Sequence, residues 1–291
     1  PRASLPRAAI GSYFRGPGQH QQSRDIGVIT MICKFDKKGT KPQIKKNDAR
    51  NTETGNAVCV PTDDRIKSAN VHITGRCNYT CKFCIAKNLV KEHRPVEFWR
   101  LYLELLRDEG IEKINLAGGE PFLYPHIEEF CRTCKEMGFL VSIISNGSLV
   151  NEKTLPPLVE YLDWIGFSVD STDEEVEKNV GRCSGGNPHI QQVIKAAKLS
   201  RNYGINVKLN ITVIEQSKDG DFTELIEAID PYRVKIFQAL EIKNMNDDTI
   251  DEFKVTDEEF ENFKSRHEHI VLSNGAKPVF EDNRVMIDSY L

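Results

Sequence analysis

The chain has 291 residues, 39% hydrophobic and 28% charged, with 39 Lys and Arg against 43 Asp and Glu for a net charge of −4. This composition excludes wholesale disorder and collagen-like repeats, and no apolar run approaches the roughly 18 residues of a membrane-spanning helix. Charge is unevenly spread: residues 1–60 are basic and the remainder acidic, so a nucleic-acid-binding face on the folded part is not expected.

Residues 1–65 are rich in Pro, Gly, Gln, Asn, Lys and Thr without a sustained period, and read as a poorly ordered basic leader. Arg2, Arg7, Arg15 and Arg24 precede its first acidic residue, but no amphipathic helix follows. Organelle targeting is therefore not expected, and the chain reads as cytoplasmic. From Ala69 onward, strand patterns at 69–74, 112–117, 139–145, 164–170, 205–213 and 233–240 alternate with helical patterns at 95–109, 126–137, 152–162, 189–203 and 222–229. Phe98, Leu101 and Leu105 give the first helix an apolar stripe, and Ile190, Val193, Ile194 and Ala197 do so for the fourth. Gly110, Gly138 and Gly204 stand where left-handed helix caps want glycine. Thr256-Asp257-Glu258-Glu259 opens a final helix, 256–267, as a capping box. Repeated β–α units predict an α/β fold with one parallel sheet and helices outside. This domain spans 66–245. Residues 246–291 read as the start of a C-terminal extension, truncated in the apolar stretch Val285–Leu291.

The strands alternate rather than reading as continuous apolar runs. Val71, Ile73, Ile114, Leu116, Phe167, Val169, Val207, Leu209, Ile211, Val234 and Ile236 share one face. Asn70, His72, Thr74, Lys113, Asn115, Ser168, Asp170, Lys208, Asn210, Thr212, Arg233 and Lys235 share the other. Strands of a doubly covered sheet would be apolar on both faces. A partial (βα)6 TIM-like barrel with a polar interior satisfies the pattern; partly exposed edge strands are the alternative. Inside such a barrel Lys113, Lys208, Arg233 and Lys235 need compensation that Asp170 alone cannot give, and a polyanion such as a nucleoside triphosphate would supply it.

The eight cysteines are too few for a disulfide scaffold in a chain this long. Cys77, Cys81 and Cys84 form Cys-x3-Cys-x2-Cys just after the first strand, at the carboxyl end where barrel active sites lie. Three thiolates suit three irons of a [4Fe–4S] cluster with the fourth iron left open; a zinc site in a non-catalytic interaction protein is the alternative, although no obvious fourth ligand is near. Cys131-x2-Cys134 falls mid-helix and reads as structural burial.

With Phe83 before the last cysteine and Ala117-Gly118-Gly119-Glu120-Pro121 after the second strand, the chain resembles the radical S-adenosylmethionine (SAM) superfamily. Asn78-Tyr79, Ile144-Ser145-Asn146-Gly147-Ser148-Leu149, Val180-Gly181-Arg182, Val207-Lys208-Leu209-Asn210 and Asp230-Pro231-Tyr232-Arg233-Val234-Lys235 look like its viperin family, over about Ala69 to Leu291. The resemblance implies a barrel of the radical SAM type, with a [4Fe–4S] cluster on Cys77, Cys81 and Cys84. It implies SAM held by Gly118, Gly119, Glu120, Ser145, Asn146, Ser168 and Arg182. It further implies CTP or UTP held by Asn70, Lys113, Lys208, Asn210, Arg233 and Lys235, with His72 as a neighbour or a satisfied interior histidine. The implied reaction generates a 5′-deoxyadenosyl radical, which takes the 4′-hydrogen of the nucleotide. Loss of water then gives the 3′-deoxy-3′,4′-didehydro analogue, an antiviral chain terminator, and an electron donor is required. The amphipathic membrane helix of animal viperins has no match in the leader, so membrane attachment is not expected. Another single-cluster radical SAM enzyme acting on a different phosphorylated substrate remains the nearest alternative.

Overall fold

The computed structural model describes residues 29–31, 68–183, 186–242 and 245–281. One sheet organises it, with strands in sequential order: β1 (Ile29–Met31), β2 (Ser68–Thr74), β3 (Lys113–Gly118), β4 (Leu140–Ser145), β5 (Trp164–Ser168), β6 (Asn206–Val213), β7 (Arg233–Gln238) and β8 (Val279–Glu281). β1 is antiparallel to β2, and every later neighbour is parallel. Right-handed crossovers between sequential parallel strands place their helices on a single side. The sheet then curls around its other side, which gives the open partial barrel expected from the strand alternation.

The helices are α1 (Val96–Asp108), α2 (Ile127–Glu136), α3 (Glu174–Asn179), α4 (His189–Asn202), α5 (Thr223–Ile229) and α6 (Asp257–His267). The apolar faces of α1, α2, α4, α5 and α6 meet the outward strand residues in one core that includes Val71, Ile114, Phe167, Leu209 and Ile236, all buried. Gly110, Gly138 and Gly204 adopt positive φ after α1, α2 and α4, and Thr256 and Glu259 form the capping box at α6. Cys131 and Cys134 are fully buried on α2.

Four local expectations need correction. Residues 152–162 form turns around a short 3-10 segment, Pro156–Leu158, not an α-helix; Pro156 and Pro157 lack the N–H groups that helical bonding there needs. α3 is an additional helix, capped by Asp173, whose side chain accepts from the Glu175 N–H. On α1 the buried stripe is Val96, Trp99, Leu103 and Leu106, while Leu101 and Leu105 are exposed. Trp99 packs edge-on against Phe130 of α2 with ring centroids 6.0 Å apart, which sets the rotation of the helix. Within the stretch read as leader, Ile29–Met31 forms β1 on the edge of β2; a three-residue strand exists only through its partner, so no local period announces it. The rest of residues 1–65, and Val285–Leu291, lie outside the described residues. Beyond residue 246 the chain adds α6 and β8, and β8 joins the same sheet beside β7. No described helix is long and apolar enough to cross a membrane.

Candidate functional site

The inner face of the sheet encloses a cavity of about 380 Å³. Cys77, Cys81 and Cys84 line one part of it; Lys113, Lys208, Arg233 and Lys235 line another. Gly118, Gly119, Ser145, Asn146, Ser168 and Arg182 lie on the wall as well, as do Asn70 and Asn210. The strands and the loops that follow them thus bring nearly every expected residue to one space. Glu120 is the exception, fully buried behind the wall.

The cysteine loop is fastened by backbone at two flanks. Gly119 N–H donates to Thr74 O and Glu120 N–H to Arg76 O, each at 2.7 Å. A Cβ on Gly119 would lie 2.2 Å from Arg76 O, so only glycine permits this approach. On the other flank Thr80 N–H reaches Gly181 O at 3.0 Å and Lys82 N–H reaches Val180 O at 2.9 Å. Gly181 has φ +85°, and a Cβ there would lie 2.3 Å from Thr80 O. The turn after β4 adds a side-chain tie, Asn146 Nδ2 donating to Asn78 Oδ1 at 2.9 Å.

The thiols themselves fit cluster ligation. Tyr79 N–H points at Cys77 Sγ (3.4 Å) and Ala86 N–H at Cys84 Sγ (3.3 Å), the kind of N–H···S contact that stabilises cluster thiolates. Burial pushes the Cys81 thiol up to about 12, so iron binding must displace its proton.

Glu120 organises the neighbouring wall from behind. Its carboxylate accepts from Phe122 N–H (3.1 Å), Ser145 Oγ–H (2.8 Å) and Asn146 N–H (2.8 Å). Burial raises its pKa to about 7, against the opposing pull of those donors. Arg182 is already ion-paired to Asp170 and to Glu177, the latter at 3.3 Å. Asp170 also accepts from Thr212 N–H at 2.7 Å. It is buried and lies off the cavity wall, so it does not share the cavity face with the barrel cations as strand alternation suggested. Glu177 accepts from the N–H groups of Asp170 (2.7 Å) and Ser171 (2.6 Å).

Three contributors carried no sequence signal. His189 accepts from the Tyr79 hydroxyl at Nδ1 (3.1 Å) and donates from Nε2 to Ser168 O (2.9 Å), tying the cysteine loop to the end of β5. Burial lowers its pKa to about 3, keeping the ring neutral for both bonds. Residues 246–253, at the start of the stretch read as a C-terminal extension, brace the cysteine loop. Thr249 Oγ1 donates to Lys82 O at 2.6 Å, and Phe253 packs on Phe83 with ring centroids 5.5 Å apart. Gly166 makes room for a cation: a Cβ there would lie 2.7 Å from Lys208 Cε. Nothing local in the sequence hints at these partnerships, because each joins segments far apart along the chain.

The cationic part of the cavity is electrostatically crowded. Burial first, then Arg233 and Lys235, lower the Lys113 pKa to about 8. Its ammonium sits 4.7 Å from the Trp164 ring centroid. No Asp or Glu is among the residues lining the cavity within the described chain. Such a space favours a multiply charged anion.

A family model described as the radical SAM superfamily matches residues 71–229. An S-adenosylmethionine-dependent nucleotide dehydratase of a Thermoplasmatales archaeon (strain ISO4-H5) is 45% identical over 227 residues, covering 78% of this chain and 80% of that protein. The S-adenosylmethionine-dependent nucleotide dehydratase RSAD2 of Oncorhynchus mykiss is 34% identical over 77% of this chain and 66% of its own length. Among solved structures, Streptococcus suis SuiB bound to S-adenosylmethionine superposes with a TM-score of 0.58 at 19% identity, covering 76% of this chain and 48% of that one. At that identity the likeness is one of fold.

Proposed function

Because this chain belongs to the radical SAM superfamily and, within it, to the S-adenosylmethionine-dependent nucleotide dehydratases, we propose that it dehydrates a nucleoside triphosphate, CTP or UTP, to its 3′-deoxy-3′,4′-didehydro analogue. The observation that carries the substrate reading is the single cavity shared by three thiols and four cations. When bound, a [4Fe–4S] cluster with SAM supplies the 5′-deoxyadenosyl radical that abstracts the 4′-hydrogen.

The protein's own part is to hold and to orient. Cys77, Cys81 and Cys84 would hold the cluster through their three thiolates. Gly118 and Gly119 offer backbone against the cofactor without side-chain bulk, while Ser145, Asn146, Ser168 and Arg182 surround it with polar groups. Glu120 fixes the Ser145–Asn146 turn for that task. Lys113, Lys208, Arg233 and Lys235 take the phosphates through charge-assisted bonds, with Asn70 and Asn210 beside them. Enclosure in the barrel keeps bulk water from the sugar.

The test is anaerobic reconstitution followed by reaction with SAM, dithionite and each of the four common ribonucleoside triphosphates. Expected are about four irons per chain, 5′-deoxyadenosine, and a nucleotide product lighter by one water with CTP or UTP. Absence of 5′-deoxyadenosine would defeat the enzyme reading. 5′-Deoxyadenosine without a dehydrated product from any of the four would defeat the substrate reading.

A further inference from the structure

Between its first two thiols the cysteine loop is held through side chains as well as backbone. Asn78 reaches the turn after β4, donating from Nδ2 to Ser148 Oγ at 2.8 Å and accepting from Asn146 Nδ2 at 2.9 Å. Tyr79 reaches the first residue of α4 instead. Its ring meets His189 edge-on with centroids 5.4 Å apart, and the two residues are 5% and 1% exposed. Apolar side chains of similar shape would fill this space with no polar atom to satisfy. The polar pair that stands there is nevertheless complete, since neither residue leaves a buried atom without a partner. A buried polar network satisfied in this way rigidifies the groups it joins.

The chain of bonds has one sense. Ser168 O only accepts, so His189 Nε2 carries a proton. In the neutral ring Nδ1 is then an acceptor, and the Tyr79 hydroxyl donates to it. The end of β5 thus dictates the tautomer of His189, and His189 dictates where the Tyr79 side chain lies. The backbone of Tyr79 follows, and its N–H points at Cys77 Sγ at 3.4 Å. Cys77 is the exposed one of the three loop thiols, so water competes for its sulfur and the contact needs support from outside the loop. The matching contact, from Ala86 N–H to Cys84 Sγ, has no such tie, because a methyl group offers no polar atom to fasten.

We propose that Tyr79 and His189 are positioning residues that hold the Tyr79 N–H on Cys77 Sγ and thereby raise the reduction potential of the cluster. This deepens the cluster assignment above and rests on it. When a cluster gains an electron, negative charge on its thiolate sulfurs grows, so an N–H donor stabilises the reduced form more than the oxidised one. Hydrogen bonds to the sulfurs are accordingly among the determinants of cluster potential, and the groups that orient metal ligands tune the metal from outside its coordination sphere. Neither Tyr79 nor His189 needs to touch the cluster through its side chain for this.

The experiment is a redox titration of the anaerobically reconstituted protein without SAM, followed by electron paramagnetic resonance, with iron content and tripolyphosphate affinity measured alongside. Tyr79→Phe keeps the ring and removes only the hydroxyl, and His189→Leu removes the acceptor. Each should keep its iron and its tripolyphosphate affinity while the cluster becomes roughly tenfold harder to reduce, a fall of about 59 mV for one electron. The double variant should fall no further than the larger single change, because both residues act through one contact. His189→Asn, which restores an acceptor for the Tyr79 hydroxyl, should recover part of the potential lost in His189→Leu. An unchanged potential in either single variant overturns the proposal, and so do additive shifts in the double variant or no recovery with asparagine. Loss of iron or of tripolyphosphate binding from Tyr79→Phe overturns it too, because the hydroxyl would then support the loop or the barrel and not tune the cluster. Failure of the unmodified protein to hold iron would instead strike at the cluster reading itself.

Discussion

The two ends of the barrel are built by different means. At the strand carboxyl ends the cysteine loop is held by backbone contacts between remote segments, with Gly119 and Gly181 permitting carbonyl approaches that a Cβ would forbid. Toward the strand starts, the cavity is lined by side chains of the strands themselves, brought together by period-two alternation. Geometry at the first end depends on loops being locked in place. The anion binding proposed for the second depends on summed charge. Damage should therefore be severe where a thiol is lost at one end and graded at the other, and each end should fail without the other.

The largest effect is expected from Cys81→Ala. Iron content should fall to background and SAM cleavage should vanish, while tripolyphosphate binding persists; full iron retention would refute the ligand assignment. Next comes Gly181→Ala, which forces a Cβ toward Thr80 O at a positive φ. Such strain is worth about 1–3 kcal/mol and should loosen the loop, lowering iron retention and SAM affinity but not tripolyphosphate affinity. A variant with unaltered iron and SAM binding would show that this flank does not position the cluster. Lys235→Ala should weaken tripolyphosphate roughly tenfold and leave SAM affinity unchanged, whereas equal losses would erase the contrast between the ends. The smallest effect is a pH dependence. With its pKa lowered to about 8, Lys113 is charged below that value and neutral above it. Tripolyphosphate affinity should thus fall a few-fold from pH 7 to pH 9, although the ligand gains negative charge over that range. Lys113→Arg should flatten the profile, because guanidinium stays charged throughout; an unchanged slope would remove Lys113 from the anion site.

The contrast also explains what could be read in advance. Lys113, Lys208, Arg233 and Lys235 were legible as cavity residues because a strand fixes which side each faces. The cysteine spacing was legible because all three thiols sit on one short loop. α1 was ambiguous: Phe98, Leu101 and Leu105 compete with Trp99, Leu103 and Leu106 for the buried side, and only the contact of Trp99 with Phe130 decides between them. Asp170 was placed on the cavity face by the same alternation that succeeded elsewhere. It lies past the end of β5, where the strand period no longer holds and Arg182 and Thr212 claim its oxygens.

The amino-acid order by itself determined the alternating strands and helices, the inward polar face and the three-thiol loop, since each depends on residues within a few positions of one another. Tertiary structure alone decided that Glu120 stands behind the wall and that His189 and residues 246–253 brace the cysteine loop. Those outcomes turn on which distant groups meet, and packing settles that.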